Sequence, residues 1–412
     1  SSSKMLHGGI RYLENFDFAL VREALKEKKT WTELAPHLTK QEMFYIPVYK
    51  ESKWPLFFVR IGLFLYDLLS LFKNPKRRVL NAKQTLKDLP QLNSKNLRGA
   101  GVYSDAVVED SKLALECIYD SIGPYSSAIN YAEVESVEKE GELWKIKVLR
   151  TLNNKEETYY SRNLIFATGP FTDQLLKKLE VKWEPKMILS KGSHIWLSKG
   201  SLELGHPMVL QTKDNRVIFV IPQRDAILVG TTEKALDPNS DIFNIQASEE
   251  EINYLIDVLN QYFPNSGVGK DSILSTFAGV RPLVAEGSKE RGKVSRQHKV
   301  FSPEKNMYVV VGGKYTTFRV MAEDVVKRMF KDQGRPFKRD LSLAPLKKKS
   351  VIGMYPRESK ITEEEVKKII SEEFPKTSED VIKRRLSLLY PDELQLSNSQ
   401  IEQMINDFRS DN

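Results

Sequence analysis

Four short stretches of this 412-residue chain gather histidine, arginine, lysine and glycine: SSSKMLHGGIRYLE at 1–14, KGSHIW at 191–196, AGVRPL at 278–283 and GGKYTT at 312–317. An arginine fork can grip a phosphate through two parallel hydrogen bonds, and a lysine supplies a point charge. Arg11 with Tyr12, Arg281 and Lys314 are therefore candidate anion holders. Each alone reads equally well as a surface or salt-bridged residue. Arg281 does so least, because Val280 and Pro282 set it in an apolar stretch where an uncompensated charge is costly. His7, just before Gly8-Gly9, and His194 are candidates for acid–base work near neutral pH. His37 and His298 lie in polar surroundings and are expected at the surface; His206 precedes a proline in a loop. No histidine belongs to a metal-spaced group, so no metal is expected.

Such residues need elements to hold them. RNLIFATGPFTDQLLKKL (162–179) and MYVVVGGKYTTFRVMAEDVVKRMF (307–330) each switch from a continuous apolar run, through glycine, to a helical pattern. An apolar run without alternation is expected of a parallel strand covered on both faces. Where such a strand hands over to a helix, free backbone N–H groups and a positive dipole end converge, and glycine allows a ligand close approach. Two such turns in one chain point to an anionic cofactor at that edge of a sheet. There is, however, no G-x-G-x-x-G: GAGVYS (99–104) ends in serine, and no ribose-gripping acid follows on a second strand.

The rest of the pattern is mixed α and β. Helical spacing covers 15–38, a β-meander 129–160, and a β-rich block 186–232 that includes the hairpin RVIFVIPQRDAILVGTT. GAGVYSDAVVEDSKLALECIYDSIG (99–123) reads as a glycine turn, a short strand and a helix, and the tail from about 361 as amphipathic helix. WPLFFVRIGLFLYDLLSLF (54–72) is nearly long enough to span a bilayer, but Arg60 and Asp67 interrupt it. A buried or half-buried helix is expected, with peripheral membrane contact open to it through its apolar face and the NPKRR flank at 74–78. One cysteine, Cys117, leaves no disulfide framework. The net charge of +8 suits an acidic partner. Part of it sits in NPKRR and in RPFKRDLSLAPLKKKS (335–350), which read first as solvated surface. The basic residues are dispersed and no reader motif is present, so nucleic acid is not the expected partner.

Taken together, SSSKMLHGGIRYLENFDFALVREALKEKKTWTELAPHL, IGLFLYD, NLIFATGPFTD, KGSHI, RVIFVIP, VGTTE, EEINYL, GVRPLV and GGKYTTFR resemble, in identity and order, the FAD-dependent (aerobic, quinone-linked) glycerol-3-phosphate dehydrogenase family. The resemblance covers roughly residues 1–330, and the tail looks like the end of that family's C-terminal helical domain. It implies an α/β (mixed α+β) fold: a two-dinucleotide-type FAD-binding domain, an antiparallel substrate-binding sheet and a C-terminal helical region. The FAD-binding part would take 1–36, 99–180 and 268–334, the substrate-binding part 37–98 and 181–267, and the helical region 335–412. The family's N-terminal G-x-G-x-x-G unit is absent from this sequence and its C-terminal domain is shortened, so a truncated or split chain is expected.

Roles follow from the resemblance. Ser2, Ser3, Lys4 and His7 would meet the flavin, Glu133 its adenine end, and Thr168, Gly169, Gly312, Gly313, Lys314, Tyr315 and Thr316 its ring end. His7, Arg11, Tyr12, His194, Arg281 and Lys314 would surround sn-glycerol 3-phosphate, with His194, Arg281 and His7 as the catalytic groups. The implied reaction is oxidation to dihydroxyacetone phosphate with electrons passed to quinone. The location is then cytoplasmic, extending to the inner face of the cell membrane, and a homodimer is compatible with it. Oxygen as acceptor, or a non-catalytic chain unable to hold FAD alone, are the competing expectations. The choice between His194 and His7 as base stays open.

Overall fold

A computed structural model describes residues 2–223, 226–284, 297–338, 340–347, 349–354, 360–389 and 393–410. The hairpin turn Arg224-Asp225, Arg339 and Lys348 of the second basic cluster, and Tyr390 in the tail lie outside the described residues. Among the described residues, ten strands form one sheet. Its order is β1 (Met5–Leu6), β4 (Leu97–Val108), β2 (Thr39–Tyr49), β10 (Met208–Gln211), β11 (Val217–Gln223), β12 (Ala226–Gly230), β9 (Met187–Ser198) and β13 (Lys234–Ala235). β3 (Arg78–Asn81) adds to β4 and β14 (Ile273–Val284) to β9. Pairing is antiparallel apart from the bridge of Met208 to Tyr45.

Successive side chains of a strand point to opposite faces, which gives each strand two sides. Ile195 and Leu197 of β9, Ile218 and Val220 of β11, and Ile227 and Val229 of β12 pack on one side with Leu255, Leu259 and Tyr262 of helix α6 (Glu249–Tyr262). Trp196, Ile221 and Leu228 face the other way. They meet Val21 and Leu25 of α1 (Phe18–Leu34) and Leu63 and Tyr66 of α2 (Leu56–Leu69). Each such buried aliphatic side chain contributes roughly 1.5–3 kcal/mol of apolar transfer. Helix starts follow local chemistry: Ser248 with Glu251 caps α6 reciprocally, as Asn81 with Gln84 caps α3 (Ala82–Asp88).

Two smaller sheets complete the β structure. β5 (Ala132–Glu140), β6 (Leu143–Arg150) and β7 (Lys155–Ser161) form the expected meander. β15 (Lys299–Phe301), β16 (Met307–Val311) and β8 (Leu164–Phe166) form the other, with β8 parallel to β16. The parallel pairing agrees with the sequence reading. Double coverage holds for β16, buried throughout, but not for β8, whose Ile165 is 43% exposed. An edge position explains this, since β8 pairs only with β16 among the described residues.

One further expectation changes. GAGVYSDAVV is the body of the twelve-residue β4 and not a turn before a short strand. Its glycines serve close packing: a Cβ on Gly99 would lie 2.0 Å from the Leu80 carbonyl oxygen, and one on Gly101 would lie 2.6 Å from Val59. α2 is half-buried, holding Leu63 and Tyr66 inside while Phe57, Phe58, Phe64 and Leu68 stand exposed. Asp67, which interrupts its apolar run, pairs with Arg77 at 2.7 Å. Among the described residues no helix is long and apolar enough to cross a membrane. The tail has its own core, in which Val366, Ile369 and Ile370 of α8 (Glu363–Glu373) pack with Ile401 and Ile405 of α9 (Asn398–Ser410). It docks on α4 (Asp110–Ser121), where Tyr119 donates to the Glu373 carbonyl at 3.1 Å.

Candidate active site

The opening strip is held from beneath. After β1, the Gly8 N–H donates to the Tyr66 hydroxyl at 2.9 Å and to Asp105 Oδ1 at 3.3 Å. Tyr66 donates to the same carboxylate oxygen at 2.7 Å, and the fully buried Lys28 does so at 3.2 Å. A Cβ on Gly8 would stand 2.4 Å from the Tyr66 oxygen, so glycine is what lets the strip sit on this network. Gly9, at φ +73, then turns the chain into a short helical segment, Ile10–Asn15, that carries Arg11 and Tyr12. The Arg11 guanidinium lies 5.3 Å from the centre of the Tyr12 ring, and Lys314 Nζ lies 3.9 Å from it.

Lys314 comes from the second wall. β8 and β16 run parallel and end at one edge, at Gly169 (φ +55) and at Gly312-Gly313 (φ +76 and +87). A Cβ on Gly313 would meet Met321 Sδ at 2.3 Å. Helix α5 (Thr172–Lys178) follows the first turn and α7 (Phe318–Asp332) the second. Thr316 Oγ1 accepts from the His7 N–H at 3.2 Å, tying this turn to the opening strip.

β9 and β14 make the third wall. Arg281 Nη2 donates to Thr231 Oγ1 at 2.6 Å and to the Thr232 carbonyl at 3.3 Å. Gly192 makes room for it, since a Cβ there would lie 2.4 Å from that nitrogen. The His194 ring stacks on Phe277 with centres 4.7 Å apart. Its Nε2 is 3.0 Å from Ser3 Oγ, while Nδ1 is buried with no hydrogen-bond partner among the described residues. Burial, reinforced by the Arg281 guanidinium, pushes its pKa down to about 3, so the ring is neutral at physiological pH.

These walls enclose a cavity of about 310 Å³ lined by Ser2, Ser3, His7, Arg11, Tyr12, Arg281, Gly313, Lys314, Tyr315 and Thr316, among others. Residues from three of the four opening stretches therefore line one cavity. His194 reaches the cavity through Ser3. Lys4 turns to Asp110 at 2.6 Å; burial alone would raise that carboxyl, but the Lys4 ammonium and the Ser2 hydroxyl outweigh it and hold it at about 2. Thr168 bonds Thr172 at 2.9 Å, and with Gly169 and Gly312 it stands outside the cavity wall. Glu133 is on β5, paired with Lys178 at 2.6 Å on the surface, and does not join the group.

Two histidines expected as ordinary surface residues are engaged instead. His37 Nε2 is 2.7 Å from the fully buried Glu116, and His298 Nε2 is 2.9 Å from Asp324 with its side chain 13% exposed. Polar neighbours in sequence misled here, because the partners Glu116 and Asp324 come from distant parts of the chain. The sequence reading also missed Lys28, Tyr66 and Asp105, which carry no local signature. It quoted VGTTE without weighing Thr231, Thr232 or Glu233, all of which line the cavity.

The shared strand edge suits an anionic dinucleotide. Nothing lies within 4 Å of where a Cβ on Gly169 would stand, leaving an open approach to that backbone. Strand β14 packs against both the Gly169–Phe171 turn and β16, so the two glycine turns lie beside one strand. Hydroxyls of Ser2, Ser3 and Thr316 stand at the neighbouring cavity wall.

Comparison with known proteins agrees with this geometry. Residues 1–328 match the model of the family described as FAD dependent oxidoreductase. Aerobic glycerol-3-phosphate dehydrogenase of Staphylococcus aureus (strain USA300) is 32% identical over 348 residues, 82% of this chain and 61% of that protein. The chain thus spans about three-fifths of the curated relative's length. Among solved structures, the glycerol-3-phosphate dehydrogenase of Bacillus halodurans complexed with FAD has a TM-score of 0.73 at 22% identity, covering 99% of this chain and 86% of that one. L-alpha-glycerophosphate oxidase of Mycoplasma pneumoniae with FAD bound has 0.58 at 16%, covering 80% and 84%. Glycine oxidase of Geobacillus kaustophilus has 0.56 at 13%, covering 80% and 83%. At these identities the likeness is one of fold.

Proposed function

The chain belongs to the FAD-dependent oxidoreductases, with FAD as its cofactor, and we propose that it oxidises sn-glycerol 3-phosphate to dihydroxyacetone phosphate. The observation that supports this reading is the meeting of Arg11, Arg281 and Lys314 beside His7 in one cavity against the glycine turn of β16. The relative in Staphylococcus aureus carries the same activity in its name.

The reaction removes a hydride from C2 and a proton from its hydroxyl, and bound FAD supplies the hydride acceptor. Ser2, Ser3, Lys4, Thr168, Gly169 and Gly312 through Thr316 would hold the cofactor, Lys4 with its charge balanced by Asp110. We assign no adenine contact to Glu133, given its surface pair with Lys178. Arg11 and Lys314 would clasp the phosphate dianion and so fix C2 in the cavity. Arg281, aimed by Thr231 and Thr232, would stabilise negative charge growing on the C2 oxygen. His7 lines the cavity and is the better proton acceptor, because His194, held down to about 3, is a weak base at neutral pH. His194 would instead orient Ser3 from behind.

For the electron acceptor we propose a quinone at a membrane surface. The exposed Phe57, Phe58, Phe64, Leu68, Leu71 and Phe72 form an apolar stripe along and just beyond α2, and Lys73, Lys76 and Arg78 follow it directly. That combination suits the headgroup boundary of an anionic bilayer, on the inner face of the cell membrane.

Steady-state turnover of the FAD-loaded protein with sn-glycerol 3-phosphate tests the reading, with quinone reduction and peroxide release followed side by side. Dihydroxyacetone phosphate should form with quinone reduced and little peroxide. Arg281→Ala should lower turnover about a hundredfold with FAD retained. Product formed only with peroxide would replace quinone by oxygen, and near-wild-type turnover in Arg281→Ala would remove that residue from the reaction.

A further inference from the structure

Glu233 stands at the cavity wall directly after the Thr231-Thr232 pair that aims Arg281. Its Oε1 is buried and has no hydrogen-bond partner among the described residues. The main chain that carries it is held on both sides. Arg216 Nη1 donates to the Glu233 carbonyl at 3.1 Å. Thr232 Oγ1 accepts from the Ser193 N–H at 2.8 Å and donates to Glu251 at 2.7 Å, and Glu251 is itself paired with Lys191 at 2.7 Å. A buried acceptor left without a donor is costly, and a ligand donor would recover that cost.

The cavity is thus divided in character. Arg11 and Lys314 share the Tyr12 ring on one wall, and Glu233 adds an acidic group beside Thr231 on another. Arg281 shares that second wall through its bond to Thr231, so the contrast is local to the Glu233 carboxylate, which repels a phosphate dianion and can accept from a hydroxyl. We propose that Glu233 accepts a hydrogen bond from the terminal C1 hydroxyl of the three-carbon phosphoester and so makes the site selective for a polyol phosphate with that hydroxyl. This rests on the function proposed above. Glu233 fixes which end of the substrate enters each side of the cavity, and it disfavours ligands that carry a second anionic group at C1.

The test uses two ligands, sn-glycerol 3-phosphate and 2-hydroxypropyl phosphate, the latter keeping the phosphate and the oxidisable C2 hydroxyl but lacking the C1 hydroxyl. Equilibrium affinity by calorimetry and kcat/KM are measured for the FAD-loaded wild type, Glu233→Ala and Glu233→Gln. Wild type should prefer the full substrate by about a hundredfold in kcat/KM, with a parallel difference in affinity, because a site built around a hydroxyl rejects the analogue without it. Glu233→Ala should lose most of that preference, through the full substrate alone; Glu233→Gln, whose amide oxygen still accepts, should lose about tenfold and carries the test should the alanine variant fail to fold. Equal losses for both ligands, or an undiminished preference in both variants, overturn the role of Glu233. Wild type that uses both ligands equally well overturns it while leaving the proposed function standing. Wild type that binds neither ligand overturns the function and this assignment together.

Discussion

Lys28 and Lys314 both lie against the opening strip, and their surroundings differ in kind. Lys28 meets Asn74 Oδ1, the Ser104 carbonyl and Asp105 at 2.9, 3.1 and 3.2 Å, and Asp105 in turn receives Tyr66 and the Gly8 N–H. Protein groups surround it, and burial pushes the Asp105 carboxyl up in spite of the lysine. Lys314 instead shares the face of Tyr12 with Arg11 and lines the cavity. The first cluster is closed and shapes the strip; the second directs positive charge into a space. A buried charge thus acts on structure when its partners are internal, and on a ligand when the space before it is open.

Breaking the closed cluster should give the largest change. Asp105→Ala leaves Lys28 buried without its carboxylate and should cost about 3–5 kcal/mol of unfolding free energy in a denaturant titration. A loss under about 1 kcal/mol would mean the network is not closed, and the contrast with Lys314 would fail. Arg281→Ala makes the opposite case, a loss in turnover at little cost in stability.

The Lys4–Asp110 pair lies between the two, an internal pair at the rim of the site. Asp110 is held at about 2 against an ordinary 3.8, so the folded state binds that proton less readily than the unfolded one. Its contribution, about 2 kcal/mol, is present above about pH 4 and is lost as pH falls through 2. Stability measured from pH 5 to 2 should drop across that window in wild type and more shallowly in Lys4→Met. Identical profiles would place Asp110 outside the account.

The sequence made the open cluster legible and left the closed one hidden, for a physical reason. His7, Gly8, Gly9, Arg11 and Gly312-Gly313-Lys314 are local groupings, because a backbone that turns sharply beneath a ligand needs glycine and cation within a few residues. Lys28 and Asp105 are 77 positions apart, and nothing near either one foretells the other. The block 186–232 was legible as β structure, whereas the exposure of Ile165 was not, since an apolar triplet reads alike at the edge or the centre of a sheet. Glu133 was taken from family resemblance alone, and the structure places it on β5, paired with Lys178 and outside the cavity wall. Glu233 stood in a quoted motif, but the burial of its Oε1 without a partner among the described residues depends on walls contributed by other parts of the chain.

The central claim is that the cationic cavity presents a three-carbon phosphoester to FAD. Anaerobic mixing of the FAD-loaded chain with sn-glycerol 3-phosphate, followed by visible absorbance, tests it most directly. The account predicts loss of the visible absorbance of oxidised flavin at a rate that saturates with substrate, and no change with glycerol alone. A spectrum unmoved by saturating substrate, with FAD demonstrably bound, would contradict it.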